Sequence, residues 1–359
     1  MGRPPRPKTG QPVHRKPGGF PLFFESRKQR VVTADPWAFL SNLSVAKLKK
    51  NAEATALAYI QQGHEFFDAA QNPRLKTRPL LYYYSFLNLT KAALLIKGHA
   101  PPPTAKHGIS DPRANSRERL RLEGQTVHVA GRAHDRSEIL PEFMTALGHT
   151  GHLPRSYRVL DLLRLIPSIH RTYVTVEGCA PCLIPISGLE ILHARSELWA
   201  RVKFNFRDKD VSESLPVLRS RQTFASIFQQ VESDKDGELW FETTPVQGKR
   251  RGFDTAIADL ARQLRRIGVG PILTSQGLRF YFVNVPPRDF VPYLAAVYGV
   301  AFYLGSVTRY KPEVFDKIVA GKYSWVIAEF LATQPTQFLY ALASELAGVD
   351  VVRPYAVLA

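Results

Sequence analysis

The pattern of apolar and polar residues predicts helices in the first half of the chain. Apolar side chains recur at helical spacing, and Ser44 is expected to cap a helix that runs to about Ala70. A second helix is expected from Pro79 to Ile96, because proline suits a first helical turn and Gly98 provides a stop. The Pro- and Gly-rich stretch 99–156 lacks this spacing and is predicted to be an irregular insert.

The middle of the chain has the alternation of half-buried strands. Apolar and polar residues alternate in three segments: 197–206, 238–244 and 278–285. Residues 255–267 between them predict an amphipathic helix with an Arg-rich outer face. After Pro286-Pro287 the helical spacing returns, and it predicts four helices: about 289–308, 312–319, 322–332 and 335–347.

These patterns predict an α+β fold that is mostly helical. Its expected regions are a disordered basic tail at 1–30, a helical domain at 31–175, a β-containing middle at 176–287 and a C-terminal helical bundle at 288–359. The helices at 79–96 and 290–308 are apolar nearly all round, so we expect them to share a core.

The charge of the chain indicates an anionic partner. The net charge is +17, from 48 Lys and Arg against 31 Asp and Glu. The first 30 residues hold +7 of it, so the remainder of the chain carries a milder +10. A basic surface attracts polyanions, which makes RNA or DNA the expected ligand.

Two features resemble those of other classes of protein. Phe290–Val307 has no charge, but its one proline, two glycines and three tyrosines favour a buried core helix over a membrane span. Cys179 and Cys182 have the spacing of zinc ligands, yet no second such pair follows, so small buried residues are the better interpretation. We expect no cofactor, no metal and a reducing, cytoplasmic location, since no secretory signal is visible.

One face of the second helix carries candidate chemistry. Tyr84, Asn88 and Lys91 lie at i, i+4 and i+7 on an otherwise apolar helix. They form either a satisfied structural network or a pocket for an anion or a base. His107, beside the flexible Gly108, is a candidate catalytic or phosphate-binding residue, although an incidental role is also open.

Two further sets of residues could act on a phosphate. Arg164 and His170 have the Arg-x(4–6)-His spacing of metal-independent HEPN ribonucleases, in which histidine is the acid or base and arginine stabilises the phosphorane. Such domains usually dimerise. The basic turn Lys249, Arg250 and Arg251 could contact a phosphate backbone or be merely solvated. P-loop, GxGxxG, HExxH and GxSxG motifs are absent.

Several segments together resemble a known family. RPLLYYYSFLNLTKAALL, KHGIS, LLRLIPSIHRTY and YLAAVYGVAFYLGSVTRYKPEVF resemble the YaaC-like bacterial proteins in wording and order, over about residues 35–350. The positions that match are Tyr84, Asn88, Lys91, His107, Gly108, Pro167, His170, Arg309, Tyr310 and Pro312. The resemblance implies a soluble bacterial protein and brings no activity with it. The N-terminal half also resembles HEPN domains, which often serve in toxin–antitoxin and antiphage systems.

Three functions follow as hypotheses. The first is a nucleic-acid-binding or adaptor subunit of a bacterial defence or stress system. The second is a metal-independent endoribonuclease that uses Arg164 and His170, with His107 or Lys91 assisting. The third is a protein-interaction scaffold. The expected partners are RNA or DNA, proteins encoded nearby and a second copy of the chain, with no membrane.

Overall fold

The computed structural model describes most of the chain, namely residues 4–13, 30–72, 76–99, 105–112, 121–131, 138–149, 153–220, 222–248, 253–274 and 277–354. The chain divides into two compact units. The sheet unit consists of Met1–Val32, Cys179–Phe290 and Ala347–Ala359. The helical unit consists of Thr33–Gly178 and Val291–Leu346.

The helices of the described residues are, in chain order, α1 Pro36–Lys47, α2 Lys50–Ala69, α3 Arg78–Ile96, α4 Ile139–Ala146, α5 Val159–Arg164, α6 His170–Glu177, α7 Lys209–Ser220, α8 Gln222–Ala225, α9 Phe253–Arg266, α10 Tyr293–Tyr310, α11 Pro312–Ala320 and α12 Ser324–Ala347. Three-residue 3-10 turns lie at Leu122–Gly124, Pro167–Ile169 and Pro287–Asp289.

The strands are β1 Gln11–Pro12, β2 Arg30–Val32, β3 Ile109–Ser110, β4 Thr126–Val129, β5 Arg155–Arg158, β6 Leu183–Ile186, β7 Gly188–Ala194, β8 Glu197–Asn205, β9 Phe228–Val231, β10 Glu238–Thr243, β11 Val246–Gln247, β12 Val269–Thr274, β13 Gly277–Val283 and β14 Asp350–Val352. The α+β, mostly helical class predicted from the pattern is confirmed, and the three predicted strands correspond to β8, β10 and β13.

The helix α3 lies at the centre of the helical unit. Glycines allow both of its neighbours to approach closely: a Cβ on Gly63 of α2 would lie 3.3 Å from the Ser85 carbonyl oxygen, and one on Gly305 of α10 would lie 3.1 Å from Tyr83 Cβ. Phe86 stacks on Phe338 of α12, with 4.2 Å between ring centroids. The predicted shared core of the two apolar helices is therefore present. Within the described residues no helix is sufficiently long and apolar to cross a bilayer.

The first predicted helix is divided into two. Asp35 caps α1, because its Oδ1 accepts hydrogen bonds from the backbone N–H groups of Trp37 at 3.0 Å and Ala38 at 2.9 Å. Ser44 is not a cap, since it lies inside α1 and its hydroxyl donates to the Leu40 carbonyl at 2.9 Å. The prediction missed Asp35-Pro36, which is the stronger start signal.

The last helix, α12, continues through Pro335, where the sequence predicted a break. A proline in a helix leaves the carbonyl four residues earlier without its N–H partner. That carbonyl, of Leu331, instead accepts from Arg78 Nη2 at 3.4 Å. The adjacent Gln334 is fully buried and accepts at Oε1 from the Tyr293 hydroxyl at 2.8 Å. These side chains provide hydrogen bonds for the polar groups around Pro335, so the helix continues through the proline.

The predicted irregular insert contains regular structure. Strands β3, β4 and β5 form an antiparallel sheet, with Ile109 paired to Val129 and Val127 paired to Tyr157. The helix α4 follows from Ile139. These short strands and the helix escaped detection because each is only two to eight residues long.

The sheet unit is built on a largely antiparallel sheet in the order β1-β7-β8-β10-β9, with β11 paired to β8. Alternate residues of β8 face inward, and Leu198, Ala200, Val202 and Phe204 form the centre of a hydrophobic core with residues of α7 and α9. A second sheet, β12-β13-β6, contributes Phe280 and Phe282 to this core. Strands β2 and β14 pair in parallel.

Part of the predicted disordered tail is structured. Gln11 and Pro12 form β1 and pair with His193 and Leu192 of β7. The composition of the segment suggested flexibility because it contains few apolar residues. Its order instead comes from main-chain hydrogen bonds to the sheet, which composition does not reveal.

Candidate functional site

The candidate site lies on the helical unit, where α3 presents adjacent tyrosines to two different neighbours. Tyr83 is buried against α10, with its ring edge-on to those of Tyr298 and Phe302. Tyr84 is half-buried and stacks on Phe66 of α2, at 5.3 Å between centroids. The consecutive positions differ by about 100° around the helix, so one hydroxyl points into the unit and the other towards its surface.

His107 is held beside Tyr83 by a tightly constrained turn. The Tyr83 hydroxyl lies 2.6 Å from His107 Nδ1. The His107 carbonyl accepts from Leu140 N–H at 3.1 Å, and the Gly108 carbonyl accepts from Ala130 N–H at 3.0 Å. Gly108 has a φ of +71°, and a Cβ there would overlap Pro141 Cδ. The turn therefore requires glycine and fixes the imidazole against α3.

Two buried tyrosines lie behind this histidine, and one of them contacts its ring. Tyr298 is fully buried, and its hydroxyl lies beside that of Tyr83 without a hydrogen bond of good geometry. Burial raises the pKa of Tyr83 and of Tyr298, so both stay protonated. If the protonated Tyr83 hydroxyl is assigned as the donor to His107 Nδ1, the neutral imidazole carries its proton on Nε2, which is then an N–H donor.

Lys91 lies two turns after Tyr83 on α3 and is the lysine of this site. Its ammonium group lies 5.2 Å from the centroid of the Tyr59 ring on α2. Partial burial lowers the Lys91 pKa. Burial lowers the His107 pKa too, and the Lys91 charge lowers it further. Within the described part of the chain no carboxylate pairs with Lys91.

Arg309, in the last turn of α10, completes the site. Its Nη1 donates to the Tyr84 hydroxyl at 3.0 Å, and its guanidinium lies 5.0 Å from the centroid of the Tyr310 ring. Tyr310 is 63% exposed. No carboxylate of the described residues neutralises Arg309 either. An exposed aromatic ring thus sits beside an arginine held by a tyrosine.

We name Tyr83, Tyr84, Lys91, His107 and Arg309 the cationic cluster. It offers two uncompensated cations, one imidazole N–H and a tyrosine hydroxyl. Such donors match a phosphate group, which accepts several charge-assisted hydrogen bonds at once. The flanking Tyr310 adds a flat apolar surface on which a base could stack.

The structure separates the other predicted site residues from this cluster. Asn88 is buried, and its amide donates to the Tyr84 carbonyl at 3.0 Å, so it supports the helix. His170 is only 5% exposed, and its Nδ1 lies 2.8 Å from the Arg164 carbonyl oxygen. Burial is the main reason that the pKa of His170 falls to about 4, with the Arg164 and Arg171 charges adding to it. This buried geometry does not favour catalysis by the pair, whose role stays a prediction.

The remaining candidates are the basic turn and the pair of cysteines. Lys249, Arg250 and Arg251 lie outside the described residues. Cys182 is buried and Cys179 is partly exposed, and neither forms a disulfide with another described residue. Over the described ranges, no three His, Cys, Asp or Glu side chains gather as metal ligands would.

Sequence reasoning missed three members of this region. The sequence pattern predicts only that Tyr83 and Tyr298 are aromatic residues of the core, because nothing in it links Tyr83 to a histidine 24 residues later. Arg309 enters the sequence analysis only as a position that matches the family resemblance. The adjacent cation and aromatic residue, Arg309 and Tyr310, are the signal that could have identified it.

A comparison with models of protein families identifies the family of the chain. A family model described as YaaC-like protein matches residues 21–346. The chain belongs to the YaaC-like family. The YaaC-like match includes all five residues of the cationic cluster. Comparisons with curated proteins and with solved structures gave no match.

Proposed function

We propose that this YaaC-like protein binds single-stranded nucleic acid through the cationic cluster and the neighbouring Tyr310, as a binding or adaptor subunit in a bacterial defence or stress system. The observation that carries the proposal is that no carboxylate among the described residues pairs with Lys91 or Arg309. Structural lysines and arginines are normally paired or fully solvated, because a half-buried charge is costly. Lys91 is neither, so a ligand anion is the missing partner.

The aromatic groups favour single strands over duplexes. Unpaired bases stack on exposed rings, whereas the bases of a duplex are already stacked on each other. Tyr310 is exposed, and Arg309 beside it can reach a backbone phosphate while Tyr310 receives the base. The net charge of +17 would add a long-range attraction that does not depend on sequence.

Tyr310→Ala tests the stacking contribution. We expect the variant to bind a labelled single-stranded oligoribonucleotide with an affinity about 5- to 30-fold lower, since one base–aromatic stack contributes about 1–2 kcal/mol. Binding to duplex RNA of the same length should change by less than about twofold. Fluorescence anisotropy at fixed salt provides the measurement.

Trp325→Ala is the matched control. Trp325 is 52% exposed on α12 of the same unit but is not part of the cationic cluster. Its removal should leave the affinity for single strands unchanged. Equal losses in the two variants, or no loss in Tyr310→Ala, would count against the proposed site.

A further inference from the structure

The sheet unit carries a second surface, on the outer face of the main sheet. The side chains there alternate with those of the core and include two tryptophans. They are Glu190 and Leu192 of β7, Trp199, Arg201 and Lys203 of β8, and Trp240 and Glu242 of β10. Two cations of β8 contact the Trp240 ring, with Arg201 at 4.8 Å and Lys203 at 4.7 Å from its centroid.

Residues 4–13 cross this face from one edge of the sheet to the other, and we name them the N-terminal strap. Near β9, the Pro5 carbonyl accepts from Glu232 N–H at 2.8 Å. At the middle, Gly10 lies on Trp199, where a Cβ would be 2.7 Å from ring atom Cζ2. At the far edge, Val13 N–H donates to the Ile191 carbonyl at 2.9 Å.

A buried ion pair on the sheet forms hydrogen bonds with the main chain of the strap. Glu242 is 2% exposed and accepts from Arg201 Nε at 2.8 Å. The same carboxylate accepts from Lys8 N–H at 3.2 Å, while Arg201 Nη2 donates to the Lys8 carbonyl at 2.9 Å. Both main-chain polar groups of Lys8, its N–H and its C=O, are thus bound, and its side chain takes no part in these two contacts.

The strap contributes little of its own side-chain surface to the sheet unit. Six of its ten residues are exposed, namely Pro5, Arg6, Lys8, Thr9, Gln11 and Pro12. An element held by main-chain bonds and few apolar contacts belongs to the low-stability end of a fold. Recognition of an extended chain through its backbone and through tryptophan surfaces is the mode by which domains bind β-strand and proline-rich peptides.

We propose that the outer face around Trp199 and Trp240 is a binding groove for an extended, proline-rich, basic peptide of a partner protein, and that residues 4–13 occupy this groove in the free protein. The ligand chemistry is that of the strap: a Pro-Pro-Arg-Pro-Lys start, a small residue over Trp199 and a short β segment that pairs with β7. Because the strap is covalently attached, its effective concentration is about millimolar, and a partner peptide must outcompete it.

The experiment uses a labelled peptide of residues 4–13 and three forms of the full chain. These forms are wild type, Gly10→Ala and a variant that lacks residues 1–13. Gly10→Ala should release the strap, because its Cβ would collide with Trp199, yet it leaves the groove residues unchanged. Anisotropy reports peptide binding, and hydrogen exchange of the strap reports its release.

We expect Gly10→Ala and the truncated form to bind the peptide at least about tenfold more tightly than wild type, whose groove is filled. Two peptide variants serve as controls: Gly10→Ala, which should collide with Trp199, and an N-methylated Lys8 amide, which removes the donor to Glu242. Each should bind at least about tenfold more weakly than the parent peptide.

Three results would overturn the proposal. One is a folded truncated form that fails to bind the peptide at about 1 mM, the effective concentration of a tethered strap. Another is a truncated form that does not fold, because the strap would then be an integral strand. The third is equal binding of the parent and N-methylated peptides, since the Glu242 contact would then be irrelevant.

Discussion

Gly108→Ala is expected to lower the free energy of unfolding of the helical unit by about 2–5 kcal/mol, because the new methyl group faces two penalties. A left-handed φ costs an L-residue about 1–2 kcal/mol, and overlap with Pro141 adds about 1–3 kcal/mol of overpacking. Urea unfolding followed by far-ultraviolet circular dichroism measures the loss. The variant should also bind single-stranded RNA more weakly, since His107 would shift from Tyr83.

Gly98→Ala separates the two penalties. Gly98 has a φ of +82° in the same unit, but no atom lies within 4 Å of a Cβ placed there. We expect a loss of only about 1–2 kcal/mol and unchanged RNA binding. If Gly108→Ala were no more harmful than Gly98→Ala, the turn would not be what fixes His107.

Acidification from pH 6.5 to about 4 is expected to lower the free energy of unfolding of the helical unit by about 3 kcal/mol through His170 alone. This figure follows from the difference between the ordinary pKa of histidine, 6.5, and the pKa of about 4 in the folded protein. The folded pKa is depressed, so the unfolded chain binds more protons in this window. This part of the free energy of unfolding is therefore fully present above the ordinary pKa near 6.5, and it is lost as the pH falls towards 4.

His170→Asn isolates this effect. The asparagine amide can still donate to the Arg164 carbonyl, but it does not titrate. The difference in unfolding free energy between wild type and variant should change by about 3 kcal/mol between the two pH values. Parallel pH profiles would mean that His170 titrates normally. The same variant tests the endoribonuclease hypothesis, under which any RNA cleavage by the wild type must disappear.

The pattern along the chain predicted those features that depend on neighbours in sequence. The helix α3 was predicted to within one residue at its start, and Gly98 has the left-handed φ of a stop signal. Strands β8 and β10 follow the two-residue alternation almost to the residue. The pattern also identifies Tyr84 and Lys91 as polar groups on an apolar helix that need partners, and it leaves open whether these are structural neighbours or a ligand.

The features that sequence could not predict depend on residues far apart in the chain. Pro335 stays helical because Arg78, 253 positions earlier than Leu331, replaces the missing donor. His107 finds its hydrogen-bond partner in Tyr83, 24 positions earlier, and Tyr83 in turn packs on Tyr298 of another helix. Asn88 shares the face of Lys91 by count, yet the close approach of α2 at Gly63 buries it.

The strap is a further case of this kind. Its charge and prolines predicted disorder, which remains a sound inference for a segment that buries so little. What orders it is the Arg201–Glu242 pair on the sheet, and the contact between Lys8 and Glu242 spans 234 positions. Neither the ion pair nor the Lys8 main chain that it binds can be recognised from the neighbouring residues in the sequence.

The central claim, that a nucleic acid supplies the missing anion at Lys91 and Arg309, is tested most directly by charge-matched double variants. Lys91→Gln with Arg309→Gln removes two cations from the cluster, and Lys50→Gln with Lys317→Gln removes two exposed cations elsewhere in the helical unit. The affinity for single-stranded RNA is measured between about 50 and 200 mM salt. We predict that the cluster variant loses about 10- to 100-fold in affinity and that its logarithmic salt slope falls by about 1 to 2, with the control close to wild type. Identical affinities and slopes for both double variants would contradict the proposed site.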